Sequence, residues 1–237
     1  MNNDLAPHLD IALRHAPPGL TRTPIPRVDL CVGQGSTDET PCLYRSMICF
    51  ILQGSKRVAL NDHLLSYDSQ QYLISALDLP LSGQILDAEG GEPYVAVSLV
   101  LDPAILADLA ASMPVIRESE QKGIGITINP MSASLRDTLL RLLSLLDTPA
   151  DIPVLGPLVE RELLYRLLLG PQGRLLRQIA QPDGALASIR RAVAWIRDNY
   201  TAQLRIDALC EASGMSRASL HRHFLSMTGL SPIRYQK

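Results

Sequence analysis

The chain has few cysteines, no long uninterrupted apolar run and no marked excess of charge of either sign, and each shortage removes a class of protein. Its four cysteines, Cys31, Cys42, Cys49 and Cys210, are irregularly spaced among 237 residues. They are too few for a disulfide framework, so reduced thiols and a cytoplasmic location are expected. The opening MNNDLAPHLDIALRHAPPGL has neither a basic start nor a long apolar core, which argues against a signal peptide. Arg, Glu or Asp interrupts the longest Leu-rich stretches, so neither a membrane span nor a membrane partner is expected. A nucleophile elbow, a phosphate-binding glycine loop and a paired CxxC are all missing. No catalytic residue, no metal ligand set and no cofactor is therefore assigned, and the chain is not expected to be an enzyme. What is there, 46% apolar and 19% charged residues, is the composition of an ordinary globule with material for a real core.

The net charge of −2 hides a strong partition. From Gly184 onward, eight basic residues (Arg190, Arg191, Arg197, Arg205, Arg217, Arg222, Arg234 and Lys237) face only Asp198, Asp207 and Glu211, a net of +5, which leaves −7 on residues 1–183. A basic end on an acidic body is an electrostatic footprint for phosphates. Within that end, Ile206 to Phe224 (IDALCEASGMSRASLHRHF) predicts a helix, a turn and a second helix. Ile206, Leu209, Cys210 and Met215 fall at helical spacing, and Gly214 sits where a tight stop needs the left-handed conformation. Ser216 is placed as the N-cap of the second helix, which begins at about Arg217. At about 100° per residue, Leu220, Phe224 and Met227 share one face, Ala218 and Arg222 lie nearly opposite, and His221 and Arg217 take a flank. One face is thus buried and the other offers cationic, hydrogen-bonding side chains. In a DNA-reading unit of this kind the second helix enters the major groove of double-stranded DNA, where Arg bonds guanine O6 and N7 and small side chains meet the thymine methyl. Arg217, Ala218, His221 and Arg222 are the candidate base-facing residues, with Ser216 and Ser219 near phosphate. The same geometry also occurs in helical hairpins whose basic face is merely solvated.

Ile189 to Tyr200 (IRRAVAWIRDNY), Leu204, Leu209, the SGMS of Ser213 to Ser216, Leu220, Arg222, Phe224, Gly229, Ser231, Pro232 and Tyr235 together resemble the first helix-turn-helix of the AraC/XylS transcriptional regulators. Cys210 stands where that family usually has Ala, a small-for-small change. The resemblance implies a DNA-binding domain of two helix-turn-helix units joined by a long helix, each reading its own stretch of major groove. The sequence stops at Lys237, where that linker would begin, so the second unit is absent from it. Either the chain is truncated or it reads with half the usual contacts. Each base pair lost costs about 1–3 kcal/mol, so specific affinity would be much reduced. In that case the chain would act as an effector-binding or dimerisation module.

From about Arg27 to Leu101 the sequence is strand-like, with short Val, Ile, Leu, Tyr and Phe runs broken by Gly, Pro and Asn-Asp. Strands are predicted at Cys42–Leu52, Lys56–Leu60, His63–Tyr67, Gln70–Leu77, Gly83–Leu86 and Tyr94–Leu101, with a first at Val28–Val32. Such spacing suggests a sandwich or small barrel. Tyr44 to Leu52 is apolar on both parities except at Arg45 and Ser46, and is expected to be buried on both faces. Gln53 to Arg57, Tyr67, Gln71-Tyr72-Leu73, Asp78-Leu79-Pro80, Glu92-Pro93-Tyr94 and Leu101-Asp102-Pro103 resemble the cupin-like N-terminal domain of one AraC-type subgroup, over residues 20–180 or so. That resemblance implies an effector-binding and dimerising half, and hence ligand-responsive control of transcription.

Tyr44, Gln53, Lys56, Tyr67 and Tyr94 are the candidate effector residues. The tyrosines either line a site or belong to the core with wet tips, and Lys56 with Arg57 either holds an anion at the barrel mouth or is simply solvated. The barrel cysteines are read as small buried hydrophobes, or alternatively as thiol sensors. Cupin barrels also house metalloenzymes, but those need clustered ligands. Here the barrel holds only His63, beside Asp62 in a predicted turn; His8 and His15 precede it, and His221 and His223 point to different faces of a helix.

Helices are predicted at about 103–112, opened by Asp102 as cap and Pro103, at 132–147 and at 155–169, with another short one at Gln172–Gln181 and a possible strand at Gly123–Ile128. The Leu135, Leu139, Leu142, Leu143 and Leu146 stripe, and the one through Leu158, Val159, Glu162, Leu163 and Arg166, either pack on the β domain or form a homodimer seam. Gln181-Pro182-Asp183-Gly184 is the predicted boundary between residues 1–182 and 183–237. The expected fold class is α+β, a cupin-like barrel or sandwich and a helical dimerisation region, then an all-α helix-turn-helix segment.

Overall fold

The computed structural model describes residues 5–61, 63–86, 91–114 and 125–237. The strands are β1 (Gly19–Arg22), β2 (Val28–Gly33), β3 (Thr40–Tyr44), β4 (Met47–Gln53), β5 (Ser55–Leu60), β6 (His63–Asp68), β7 (Gln71–Ser75), β8 (Leu79–Leu86), β9 (Tyr94–Val100) and β10 (Ile126–Pro130). They form a six-stranded sheet in the order β1-β2-β9-β4-β7-β10 and a four-stranded sheet in the order β3-β8-β5-β6. Neighbouring strands in both sheets are antiparallel. The helix α1 (Ala6–His15) touches β4 and β9, while β6 reaches across to β4 and β7. The larger sheet therefore has cover on both sides, which is why β4 reads MICFILQ and why Ile48 through Leu52 are all buried.

The expected strand Cys42–Leu52 is in fact two. The chain leaves the smaller sheet after Tyr44 and enters the larger one at Met47, turning through Arg45 and Ser46. These two polar residues mark the break because a chain changing sheets leaves both ladders, and its backbone groups then need other partners. The Ser46 amide donates to Asp78 Oδ1 at 3.1 Å, and its carbonyl accepts from Leu101 N at 2.9 Å. Strand β8 begins at Leu79 rather than Gly83. Pro80 pairs there with Leu43 only, since β5 reaches no further along β8 than Ser82, so its missing N–H leaves no gap. Helix α1 and strand β1 lie outside the elements predicted. His63 opens β6, exposed, instead of sitting in a turn, and Asp62, Gly123 and Ile124 fall outside the described residues.

The helices follow their caps. Helix α2 (Pro103–Ala111) starts where Asp102 accepts from Ala104 N at 2.8 Å, and α3 (Ala133–Ser144) where Ser132 accepts from Leu135 N. Helix α4 (Ile152–Leu169) begins three residues before the expected start, with Pro153 in its first turn, where no amide needs an acceptor. Helix α5 (Gly173–Ala180) leads to α6 (Ala185–Asp198), α7 (Ile206–Ser213), α8 (Arg217–Thr228) and α9 (Pro232–Gln236). The Leu stripe of α3 is buried and α3 packs on α4, so that stripe is internal rather than a seam. Among the described residues no single helix is long and apolar enough to cross a membrane.

Candidate nucleic-acid interface and sandwich interior

Helix α7 ends because Gly214 takes φ +69°, a conformation costly for any residue with a Cβ. Its amide donates to Glu211 O at 3.2 Å and that of Met215 to Cys210 O at 3.1 Å, so the last turn is closed before the chain reverses. Ser216 then caps α8, its Oγ accepting from Ser219 N at 3.3 Å. Leu220 and Phe224 are buried, Phe224 meeting the Tyr235 ring edge-on with centroids 5.5 Å apart. Arg217, Ala218, His221 and Arg222 are all exposed on the other side, with Ser216 exposed and Ser219 half-buried at the start. Arg217 pairs with Asp207 at 2.6 Å, but both side chains are more than two-thirds exposed, so the pair is weak and open to exchange. Arg191 of α6, counted in the sequence only as charge, holds the turn from behind. Its Nη2 donates to Ser213 O at 3.0 Å and to Ser188 Oγ at 2.9 Å.

Between the sheets the structure gathers a second set. Along β5, Lys56 and Val58 face inward while Arg57 faces out, where it reaches Gln84 at 3.4 Å; strand parity thus separates the expected Lys56–Arg57 pair. Lys56 stands opposite Tyr67 on one side and Ile85 on the other. Its ammonium lies 5.1 Å from the Tyr44 ring centroid, a cation–π distance. Gly83 makes room for its stem: a Cβ there would be 3.1 Å from Lys56 Cε and 3.2 Å from Cys42 Sγ. Tyr44, Tyr67 and Tyr94 are each no more than 3% exposed, and the Tyr44 and Tyr67 hydroxyls have no hydrogen-bond partner among the described residues. Gln53 does not join this set, since its Nε2 donates to Pro93 O at 2.8 Å.

The charge state of the interior follows from burial. Burial pushes the Cys31, Cys42 and Cys49 thiols up, and Lys56 pulls each back only in part. Burial likewise pushes Tyr44 up to about 12 and carries Tyr67 and Tyr94 well above the ordinary phenol value. For Lys56, burial opposes the charge, and Tyr44, Cys49 and Cys42 outweigh it only as they themselves ionise at high pH, so its pKa is raised. At neutral pH the cluster therefore holds neutral phenols, neutral thiols and one cation. Such thiols make poor nucleophiles, which favours the cysteines as packing residues over the sensor alternative. Among the described residues no group of three or more His, Cys, Asp and Glu could hold a metal ion.

A third cluster joins the two regions at Asp78, a residue that carries none of the effector or DNA expectations. Its Oδ1 accepts from Ser46 N at the β3–β4 crossing, next to Tyr44. Its Oδ2 accepts from Arg197 of α6 at 2.8 Å, and its carbonyl accepts from the Tyr235 hydroxyl of α9. Gly125 N donates to Met227 O of α8 at 2.8 Å. A cleft of about 620 Å³ opens beside the junction, lined by Arg190, Arg191 and Arg197 along with Ala104 and Ala107 of α2.

A two-sheet sandwich ahead of a helix-turn-helix is a layout found in transcription regulators. This chain belongs to the AraC-type transcriptional regulators: the family model for the AraC-type transcriptional regulator N-terminus matches residues 24–175. The HTH-type transcriptional activators RhaS of Salmonella typhimurium and Salmonella typhi are each 27% identical to it over 128 residues, 53% of this chain and 45% of theirs. The chain thus spans about half the length of the curated relatives it matches, and these are regulators rather than enzymes. Among solved structures, ToxT from Vibrio cholerae O395 bound to (E)-4-(8-methylnaphthalen-1-yl)but-3-enoic acid is similar at 9% identity and TM-score 0.46, over 87% of this chain and 98% of that one. The AraC-like transcriptional activator CuxR is similar at 15% identity and TM-score 0.39, over 84% and 71%.

Proposed function

We propose that the chain reads double-stranded DNA with α8, answers to a small molecule held between its two sheets, and works as a homodimer. The observation that carries the reading is the two-sidedness of α8: Leu220 and Phe224 are buried while Arg217, Ala218, His221 and Arg222 stand together in solvent. Residues 183–237 form the reading unit and residues 1–182 the sensing one. For the sensing site, the support is the convergence of Tyr44, Lys56, Tyr67 and Tyr94 from four different strands. For the dimer it is the outer side of α4, where Leu155, Leu158, Tyr165 and Leu169 are 42–62% exposed although the inner side is already buried. Leu155, Leu158, Glu162, Tyr165 and Leu169 alternate steps of three and four residues, the spacing of a two-helix seam. A helix apolar on both sides calls for cover on both. A second copy also suits a reader of paired half-sites.

Gel-shift titration against the DNA upstream of the chain's own gene, with unrelated duplex as control, tests the reading at several salt concentrations. Arg222→Ala should relax preference at one base step by about 1–3 kcal/mol while leaving the salt dependence nearly intact. Binding that falls steeply with salt and shows no preference among sequences would reduce α8 to a phosphate-binding surface. An unchanged footprint for the variant would remove Arg222 from the groove.

A further inference from the structure

We infer that the ligand held between the sheets is a small organic carboxylate, with Lys56 as its counter-ion and the Tyr44 and Tyr67 hydroxyls as its donors. The inference rests on reading the sandwich interior as the effector site, and is independent of whether α8 reads DNA. Its basis is an inventory of what the cluster offers. Lys56 is a donor only, and no described carboxylate lies within ion-pair distance of it. Tyr44 and Tyr67 each bury a hydroxyl that makes no hydrogen bond of good geometry among the described residues, its polar neighbours being Lys56 and Tyr67 for the first and Cys49 for the second. The thiols of Cys31, Cys42 and Cys49 are neutral and at most weak donors or acceptors. A phenol oxygen can accept from the ammonium, but that leaves the charge itself uncompensated. Among the described residues, buried hydroxyls without partners and a half-buried cation without a counter-ion are each unfavourable, and folded proteins keep such groups together chiefly where something else completes them.

What completes this set has to carry negative charge and several acceptor lone pairs in a compact group. One cation is matched by one negative charge; a phosphate dianion would trade an uncompensated cation for an uncompensated anion. The residues beyond the polar cluster are apolar, with Val58, Leu79, Leu81 and Ile85 on the inner face of the smaller sheet, which suits an organic tail better than a bare inorganic ion. Packing around Ile85 is close, since a Cβ at Gly33 would come within 2.7 Å of its Cδ1. Neither a charged amine nor a neutral buried thiol is a nucleophile, so the ligand is held without a covalent bond.

Thermal unfolding and titration calorimetry at constant ionic strength decide it, using acetate, hexanoate and benzoate, the three matching amides, and inorganic phosphate, on the full chain. At least one carboxylate should raise the melting temperature, while its amide and phosphate do not. Lys56→Met should weaken that carboxylate by about tenfold or more, and Tyr44→Phe several-fold. Lys56→Met should also raise the melting temperature of the ligand-free protein, because it replaces an uncompensated charge by a side chain of similar length. A lysine serving only the fold would lower it. If none of the three carboxylates raises the melting temperature, if an amide binds as tightly as its acid, or if Lys56→Met binds unchanged, the assignment is overturned. Gel shifts on the same samples keep the readings apart: carboxylate binding without DNA binding removes the reader alone, and DNA binding without carboxylate binding removes this ligand alone.

Discussion

Lys56 and Arg222 are both cations without a carboxylate partner among the described residues, and they are placed in opposite ways. Lys56 stands among phenols and thiols between two sheets, where the dielectric is low and a missing counter-ion is felt at short range. Arg222 stands in solvent on α8, 3.3 Å from His223, where water already satisfies it. The same charge therefore does different work. In the sandwich it selects, because whatever enters has to compensate it without water. On α8 it attracts from a distance and is screened by salt within about 8 Å at physiological ionic strength. Salt should thus weaken DNA binding steeply and carboxylate binding little.

The largest expected effect tests whether the two regions stand independently. Phe224 is fully buried and packs edge-on against Tyr235, in a helical unit with a much smaller core than the sandwich. Phe224→Ala should cost about 3–5 kcal/mol. If residues 183–237 fold as their own unit, hydrogen exchange will show α6 to α9 opening while the strands stay protected. Uniform loss of protection over both regions would mean that the reader and sensor form one cooperative structure, and the comparison would then be of two faces rather than two units.

A smaller effect is expected at α4. Leu158→Glu puts a charge into the exposed apolar stripe at a residue that is itself 60% exposed. It should separate the dimer, weakening association by about 2 kcal/mol or more as read by sedimentation. Binding to a single half-site and to the carboxylate should both survive. A variant that sediments like the parent would leave the stripe without its second copy.

How much of this could be read in the sequence depended on how local each feature is. Gly214, Ser216, Leu220 and Phe224 lie within a short stretch, and their cap, turn and periodicity rules act on neighbours, so the helix-turn-helix was fully legible. Tyr44, Lys56, Tyr67 and Tyr94 were legible as candidates but not as a cluster, because they come from β3, β5, β6 and β9 and only strand order brings them together. Parity alone separates Lys56 from Arg57, and the signal was present in the alternation of β5. Gln53 carried no such signal, since its partner is a main-chain carbonyl of Pro93. The crossing at Arg45-Ser46 was visible as a polar interruption, but its meaning depended on Asp78, distant in sequence. Helix α1 has Pro7 in its first turn and no side-chain cap, and its burial comes mainly from packing on α3, which no local pattern encodes.

The smallest expected effect concerns what connects the two regions. Asp78→Asn keeps an oxygen to accept from Ser46 N and leaves the main-chain acceptor of Tyr235 in place, removing only the charge that faces Arg197. Arg197 is about half exposed, so solvent screens the pair and the loss should be about 0.5–1 kcal/mol. The change should be local, with faster exchange near the end of α6 and no change at β4. Asp78→Ala should do more, because it also strips the buried Ser46 amide of its acceptor at the point where the chain passes from one sheet to the other. If the two variants behave alike, the Arg197 contact and the Ser46 contact are not separable. The junction would then transmit strain from Tyr44 to α6 as one piece instead of merely holding the helices against the sandwich.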